Sequence, residues 1–165
     1  MRTRFLLRTL ILPVAVNIAA CSEDIPVGIA PITDPALVTY APQLNLDITT
    51  FTKTASGLYQ KDVPPGFGSI AADSGDTVSI DYTLFRPDGA ICDGSRIRGS
   101  TVTYIVGVSD LIPGFTEGLK GMRVGGKRRI VVPPALGYGV VGSPPCIFPN
   151  AVLIFDLTMY GVRSG

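Results

Sequence analysis

The sequence predicts an α+β fold in which an antiparallel sheet of five to six short strands packs with one short α-helix. The 19 glycines and 14 prolines make up one fifth of the 165 residues, a proportion that favours many turns and short strands. Residues 77–85 alternate apolar and polar side chains, as a half-buried antiparallel strand does. Residues 107–122 have helical spacing instead, and we expect the sheet to be organised around this segment.

The helix is predicted to begin at Pro113 and to end near Gly121. Proline suits the first helical position because its missing N–H would have no partner there, and glycine is a common C-terminal stop. Phe115, Leu119 and Met122 recur at i, i+4 and i+7, which places them on one face. A helix of about two turns is marginal alone, so this face must be buried against the sheet.

The remaining strands are separated by turn and loop signals. Arg86-Pro87-Asp88-Gly89 is a hairpin turn between the strand at 77–85 and a brief return at 90–93. A long loop rich in proline and glycine occupies residues 133–149. Further strands are predicted at residues 51–61, 101–106, 127–132 and 151–161.

Residues 1–20 are typical of a bacterial export signal, with three arginines followed by a short apolar run. The run is too short to cross a bilayer comfortably, although a buried helix or membrane anchor would also be apolar. Ile18-Ala19-Ala20-Cys21 resembles a lipobox, which predicts a lipidated Cys21; ordinary cleavage leaving a free cysteine is the alternative. Ser22 resembles the residue that sends lipoproteins to the outer membrane, so we expect an extracytoplasmic protein anchored by lipid, facing the periplasm.

Residues 21–50 are predicted to be a flexible tether, because they contain four prolines and no sustained periodicity. Docking of their apolar residues on the domain is the alternative. Residues 51–165 form the predicted domain. Without residues 1–20 the chain has 11 basic and 13 acidic residues and a net charge of −2, which gives no reason to expect nucleic-acid binding. The chain has no histidine and only three cysteines, so we expect neither a metal site nor a cofactor.

Six motifs between residues 56 and 162 occur in the order and spacing of the FKBP family of peptidyl-prolyl cis–trans isomerases, and the chain resembles that family through them. The motifs are Tyr82-Thr83, Asp88-Gly89, Asp93-Gly94-Ser95, Leu111-Ile112-Pro113-Gly114-Phe115-x-x-Gly118-Leu119, Gly137-Tyr138-Gly139 and Pro149-Asn150-Ala151-x-Leu153-x-Phe155-Asp156.

The resemblance implies a curved antiparallel sheet wrapped around the short helix, and catalysis of X–Pro bond rotation in unfolded or exported proteins. The barrier to this rotation is about 18–20 kcal/mol, because amide resonance must be broken. A twisted amide is less polar than a planar one, so an apolar pocket stabilises it relative to the ground state. Such chemistry needs no histidine. A module of another class, which binds proline-containing chains as a chaperone with little turnover, is the alternative.

The resemblance also assigns residues to the pocket. Phe115 takes the place of the family's usual tryptophan under the proline ring, Tyr138 donates a hydrogen bond to a substrate carbonyl, and the backbone N–H of Ile112 donates another. On pattern alone Phe115, Val102 and Phe155 are better explained as core residues than as parts of a pocket. The expected catalytic set is Tyr82, Asp93, Ile112, Phe115, Tyr138 and Phe155, and the expected substrate-binding set is Cys92, Val102, Leu111, Ser143, Cys146 and Ile147.

Several positions depart from the family pattern. Cys92 stands where a phenylalanine is usual, Cys146 where an aliphatic residue is common, and Ser143 where a histidine is frequent. The family's geometry puts Cys92 and Cys146 on the same side of the pocket, which suggests a disulfide in an exported protein; two free thiols as small apolar fillers are the alternative. By resemblance, macrolide inhibitors are expected to be ligands as well as proline-containing polypeptides.

Overall fold

A computed structural model describes residues 32–165. The predicted export signal, the lipidated Cys21 and the first part of the predicted tether lie outside these described residues. No helix within 32–165 is long and apolar enough to span a bilayer.

Residues 32–165 form a seven-stranded antiparallel sheet with one α-helix, which is the fold class that the sequence predicts. The strands run in the order β1-β2-β6-β7-β3-β4, and β5 also pairs with β3. The bounds are β1 Thr52–Lys53, β2 Tyr59–Asp62, β3 Thr77–Phe85, β4 Ile91–Gly94, β5 Val102–Ile105, β6 Lys127–Val132, β7 Leu153–Arg163 and α1 Pro113–Leu119.

The count exceeds the expected five to six strands because the first predicted strand, 51–61, is two strands. Gly57 has a φ of +96°, a left-handed conformation that glycine adopts without steric cost. The chain therefore turns between β1 and β2, which pair with each other. The other predicted strands are present with small shifts of their ends.

Helix α1 begins at Pro113, and Gly121 just beyond its end has a φ of +76°. Phe115, Leu119 and Met122 are all buried, as their spacing predicts. The helix lies close against β6: a Cβ on Gly118 would lie 2.7 Å from the Ile130 side chain. A side chain at position 118 would therefore force the Ile130 side chain to shift. The N-terminal turn of α1 is equally close to this strand, since a Cβ on Gly114 would lie 2.5 Å from the Val132 side chain.

Residues 32–51, called the N-terminal strap here, differ from the flexible tether expected up to residue 50. The strap contains three 3₁₀ turns, at Pro35–Leu37, Pro42–Leu44 and Ile48–Thr50. It packs on the sheet face opposite α1, as in the docking alternative, and Leu44 is only 5% exposed there. Irregular turns need no repeating pattern to bury scattered apolar residues, so periodicity did not reveal this packing.

The strap is also tied down by hydrogen bonds. Arg129 donates to the Leu44 carbonyl oxygen at 2.6 Å, and the amide of Ala41 donates to the Pro87 carbonyl oxygen at 2.8 Å. The sheet thus has a small apolar cluster under the strap and a larger one under α1. The larger cluster opens to solvent at one end, where the sequence motifs converge.

Candidate active site

A cavity of ≈ 680 Å³ opens between α1 and the ends of β3, β4 and β7. The strand register brings its walls together, because Leu84 on β3 pairs with Asp93 on β4 and with Phe155 on β7. Tyr82 shares the face of Leu84 by strand alternation. The cavity is lined by Tyr82, Leu84, Asp93, Arg98, Tyr104, Asp110, Leu111, Ile112, Pro113, Phe115, Tyr138 and Phe155.

Phe115 forms the aromatic centre of the cavity and is 3% exposed. Its ring lies edge to face with those of Phe155, Tyr82 and Tyr104, at centroid distances of 5.1, 5.6 and 6.0 Å. Aromatic pairs at such distances and angles contribute beyond their simple burial. Each ring restrains the others, and the result is a fixed apolar surface.

One edge of the cavity is polar and consists of Tyr82, Asp93 and Arg98. The Tyr82 hydroxyl donates to Asp93 Oδ2 at 2.7 Å, and Arg98 donates to the same oxygen at 2.6 Å. The Gly94 amide donates to Asp93 Oδ1 at 2.8 Å. The carboxylate is therefore held from three sides and fixes the Tyr82 ring in the wall.

These contacts keep all three groups in one protonation state near neutral pH. Burial raises the pKa of Asp93, but the hydrogen bonds from Tyr82, the Gly94 amide and Arg98 outweigh burial, and the pKa of this carboxyl lies below its usual value. Burial and the bond to Asp93 raise the pKa of the Tyr82 hydroxyl well above its usual value. The guanidinium pKa of Arg98 is raised beside Asp93.

Ser95 supports this polar edge from behind and is fully buried. Its Oγ accepts a hydrogen bond from the Tyr82 amide at 3.0 Å and donates to Asp81 Oδ1 at 2.9 Å. Ser95 begins the 3₁₀ turn that carries Arg98. The serine thereby sets the position of Arg98 relative to Tyr82.

The cavity donors that have no acceptor among residues 32–165 include the Tyr138 hydroxyl and the Ile112 N–H. The Tyr138 hydroxyl bonds to no residue in this range, and its side chain is 38% exposed. The Ile112 N–H, immediately before α1, likewise has no partner there, whereas its carbonyl accepts from the Phe115 amide at 3.0 Å. An apolar cavity flanked by two available donors is suited to a peptide whose carbonyls need partners.

The model of the FKBP-type peptidyl-prolyl cis-trans isomerase family matches residues 68–160. The chain belongs to this family. It is an FKBP-type peptidyl-prolyl cis-trans isomerase.

Known FKBP proteins are similar over most of the described domain. The FK506-binding protein of Neisseria meningitidis is 37% identical over 106 residues, which cover 64% of this chain and 96% of that protein. FkpA of Escherichia coli is 41% identical over 112 residues, covering 67% of this chain but only 40% of FkpA.

Solved structures agree with these sequence matches. The crystal structure of Escherichia coli FkpA has a TM-score of 0.65 and 34% identity, covering 74% of this chain and 55% of that one. The crystal structure of AtFKBP13 has a TM-score of 0.63 and 32% identity, covering 68% of this chain and 98% of that one.

The FKBP pocket contains every residue of the expected catalytic set, but it contains only Leu111 of the expected substrate-binding set. Ile147 is 5% exposed and belongs to the core, and Cys92 and Val102 pack against that core. Ser143 is exposed and pairs through its backbone with Ile147. Cys92, Val102, Ser143, Cys146 and Ile147 are thus not among the residues that line this cavity, and their contact with substrate stays a prediction.

Five lining residues were missed in the sequence. Leu84 lies on the same face of its strand as Tyr82, and Tyr104 on the same face as Val102. The alternation of side chains along these strands could therefore have predicted both residues. Arg98 is placed at the pocket by the 3₁₀ turn Ser95–Arg98, and no periodic pattern in the sequence predicts this turn. The missed residues are Leu84, Arg98, Tyr104, Asp110 and Pro113.

The loop that carries Tyr138 is fastened to the β3–β4 hairpin. Cys92 on β4 and Cys146 on the loop form a disulfide, with Cα atoms 5.6 Å apart. Arg86 donates to the Cys146 carbonyl oxygen at 3.2 Å, and its guanidinium lies 4.8 Å from the Phe148 ring centroid. The two cysteines therefore act through the position of the loop rather than through contact with the pocket.

Proposed function

We propose that this isomerase works outside the cytoplasm, anchored by a lipid on Cys21, and accelerates X–Pro rotation in exported polypeptides through the pocket around Phe115. The observation that carries the catalytic part is the pairing of an aromatic, buried floor with two donors, the Tyr138 hydroxyl and the Ile112 N–H, which have no partner within residues 32–165.

The proline ring of the substrate packs against Phe115, between Tyr82 and Phe155. Rotation removes charge separation from the amide, and the surrounding rings favour the less polar twisted form over the planar ground state. Phenylalanine provides an apolar platform without a polar atom of its own. The rate therefore depends on the shape and dryness of the pocket, and no proton transfer is involved.

The two donors hold the peptide on either side of the rotating bond. The Ile112 N–H binds one substrate carbonyl and the Tyr138 hydroxyl binds another, so that one end of the amide stays fixed while the other turns. Burial and the negative charge of Asp93 raise the pKa of Tyr138, so its hydroxyl remains a donor. Asp93 and Arg98 keep Tyr82 in place and do not contact the reacting bond.

The proposed location has support from the sequence of residues 1–21. The basic start, short apolar run and lipobox-like Ile18-Ala19-Ala20-Cys21 are typical of exported lipoproteins. A disulfide in residues 32–165 is consistent with an oxidising compartment. The substrates that fit this location are exported chains that are still unfolded. Relatives are named for binding FK506, and we propose that a macrolide of this kind occupies the same pocket.

The catalytic role is tested with the purified protein and a panel of Xaa-Pro tetrapeptides. Tyr138→Phe removes one hydroxyl, and we expect kcat/KM to fall about two- to tenfold, since a lost hydrogen bond in such a site is worth about 0.5–1.5 kcal/mol. Tyr160→Phe is the matched control, because its exposed hydroxyl bonds to Asp81 and lies outside the pocket lining. Binding of the peptides without turnover would point to the chaperone module instead.

The anchor is tested in a bacterial host by labelling with radioactive palmitate and by membrane fractionation. We expect label in the full chain and none in Cys21→Ala, with the variant released from the membrane fraction. Wild-type protein that has lost its signal peptide but carries no palmitate label would contradict lipidation. The remaining explanation would be ordinary cleavage that leaves a free Cys21.

A further inference from the structure

We infer that Arg128 is a positioning residue for the pocket, because it fixes the C-terminal end of the helix that carries the pocket floor. Arg128 does not line the cavity, so it acts through α1 on Phe115 and on the Ile112 N–H. The inference rests on the proposed function, since it assigns a role in turnover to a residue that the substrate does not touch.

The Arg128 side chain joins β6 to the end of α1 and is only 8% exposed. Its Nη1 donates to the carbonyl oxygens of Gly118 at 3.1 Å and of Lys120 at 2.8 Å. Both residues lie at the C-terminal end of α1, where the last carbonyls of a helix have no amide partner within the helix. Arg128 therefore supplies hydrogen bonds that α1 cannot make for itself.

Asp62 on β2 holds the guanidinium in place. Nε of Arg128 donates to Asp62 Oδ1 at 2.6 Å, and Nη2 donates to Asp62 Oδ2 at 3.1 Å. The two residues are partners in the register of the β2–β6 pair, so the sheet itself aligns them. A guanidinium bound to both oxygens of a carboxylate is planar and has a fixed direction. The end of α1 is thus held at a defined place relative to two strands.

The other contacts between α1 and β6 are apolar. Arg128, Ile130 and Val132 alternate on one face of β6. The two apolar residues of this set lie against Gly118 and Gly114 of the helix. Apolar packing is not directional, so it determines which face of α1 is buried more strictly than where α1 lies along the strand. The directional hydrogen bonds of Arg128 fix the position along the strand.

A shift of α1 along β6 would reach the pocket, because the two groups that α1 provides are at its other end. Ile112 is the N-cap, and Phe115 lies in the first turn. Ile112 precedes Gly118 by six residues, which is about 9 Å at the helical rise per residue, and a helix this short moves as one body. A displacement of about 1 Å from a distant change is enough to lower a catalytic rate.

The buried ion pair is better explained by this role than by stability. Taking a charge out of water costs free energy, and apolar residues in place of a buried pair are often equally stable. Arg128 bears most of this cost, since its side chain is 8% exposed whereas that of Asp62 is 41% exposed. A fixed geometry for α1 is what the guanidinium provides and an apolar side chain does not.

The test compares Arg128→Lys with Arg129→Lys in the purified protein. Arg129 is a matched control, because it also binds both oxygens of a carboxylate, that of Asp156, and donates to a backbone carbonyl, that of Leu44. Its partners lie on the strap face of the sheet, opposite α1. Lysine keeps the charge but lacks the planar fork. We expect both variants to lose stability in denaturant unfolding, and only Arg128→Lys to lose activity.

Activity is measured on an Ala-Pro tetrapeptide under conditions where each protein is folded. For Arg128→Lys we expect kcat to fall at least about threefold and KM to change by less than about twofold. Apolar burial still binds the peptide, whereas stabilisation of the twisted amide depends on the alignment of the two groups on α1. Arg129→Lys should leave both constants unchanged.

Proton–nitrogen correlation spectra give a readout that is independent of turnover. In Arg128→Lys the amide signals of Ile112 and Phe115 should shift, while that of Tyr138, on a separate loop, should stay in place. In Arg129→Lys all three signals should stay in place.

Asp62→Asn is a second variant in case Arg128→Lys does not fold. It leaves the bonds from Arg128 to both carbonyl oxygens and weakens only the group that orients the guanidinium, so a smaller fall in kcat is expected. Unchanged kcat in folded Arg128→Lys, or in Asp62→Asn where that variant has to be used, overturns the inference. An equal fall in Arg129→Lys also overturns it, because the effect would then follow from stability.

The outcomes separate this inference from the proposed function. An unchanged protein that does not turn over the tetrapeptide rejects the proposed function, and the amide signals then test the position of α1 alone. Signals of Ile112 and Phe115 that shift in Arg128→Lys but not in Arg129→Lys support positioning by Arg128. Signals that stay in place in both variants overturn it.

Discussion

The two faces of the sheet are both apolar but are completed in different ways. On one face, α1 and the aromatic residues leave an open cavity around Phe115. On the other, the N-terminal strap covers Val131 and Ile154 and closes a smaller cluster around Leu44. Both faces bury apolar surface and thereby stabilise the same strands, but all of the expected catalytic residues line the cavity on the open face. We therefore expect that removing a buried side chain on the open face changes both activity and stability. Removing one under the strap should change stability alone.

The largest effect is expected for Phe115→Ala on the open face. The substitution removes a ring that is 3% exposed and contacts three other rings. Phe→Ala in a core costs about 3–5 kcal/mol in the free energy of unfolding. We also expect kcat/KM for Xaa-Pro peptides to fall by more than about tenfold, because the apolar platform for the twisted amide is lost.

Denaturant unfolding and peptide turnover at a temperature where the variant is folded separate these two effects. Phe115→Leu is the informative control, since it keeps most of the apolar volume and should recover most of the stability but not all of the activity. Full activity in a folded Phe115→Ala protein would show that the pocket floor lies elsewhere.

A smaller effect is expected when the disulfide is removed by Cys92→Ala/Cys146→Ala. Closing a loop across a sequence separation of 54 residues stabilises by about 2–4 kcal/mol, chiefly through the unfolded chain. The bond from Arg86 to the Cys146 carbonyl oxygen should hold the loop in part, so KM should rise only a few-fold. Unfolding with and without reductant measures the stability.

The double variant serves as its own control, because reductant should not change its stability. Thiol titration of the unreduced, denatured protein gives the independent readout. If the thiols of Cys92 and Cys146 react before reduction, the two residues are not bonded to each other. They would then be two free thiols that fill apolar space, which is the alternative stated in the sequence analysis.

The strap face should respond to Leu44→Ala in stability alone. Leu44 is 5% exposed, and its truncation should cost about 2–3 kcal/mol, toward the lower end of the range for buried leucine. Per folded molecule, kcat/KM should be unchanged, because the strap contributes no residue to the pocket lining. Leu37→Ala is the control: it lies in the same strap but is 71% exposed. A fall in kcat/KM of the folded Leu44 variant would couple the two faces and break the comparison.

The same contrast explains what the sequence predicts and what it does not. The alternation in β3 and the spacing of Phe115, Leu119 and Met122 are periodic signals, so the sheet, the helix and the aromatic floor follow from them. The motifs that carry the family resemblance supply Asp93 and Tyr138. Arg98 and the strap lie in irregular turns. Their positions depend on tertiary contacts, such as the hydrogen bond from Arg129 to the Leu44 carbonyl oxygen, and the periodicity of the sequence does not predict such contacts.

The smallest effect is expected from pH, and it tests whether the polar edge of the pocket is structural rather than catalytic. The folded pKa of Asp93 is lowered, so its contribution to stability is present above the unfolded value of about 3.9 and is lost as pH falls through the folded pKa. The pKa of Tyr82 is raised, so its contribution is present below the unfolded value of about 10 and is lost only at higher pH. Neither group titrates between about pH 5 and 9.

We therefore expect kcat/KM for a neutral Xaa-Pro peptide to be flat across that range, measured at constant ionic strength. Asp93→Asn should reduce activity at all pH values by loosening Tyr82, without creating a pH dependence, because the amide still accepts from the hydroxyl but no longer pairs with Arg98. An inflection near neutral pH would require a titrating group in the rate-limiting step. The chain has no histidine to supply one, so such a result would contradict catalysis by an apolar pocket acting on a twisted amide.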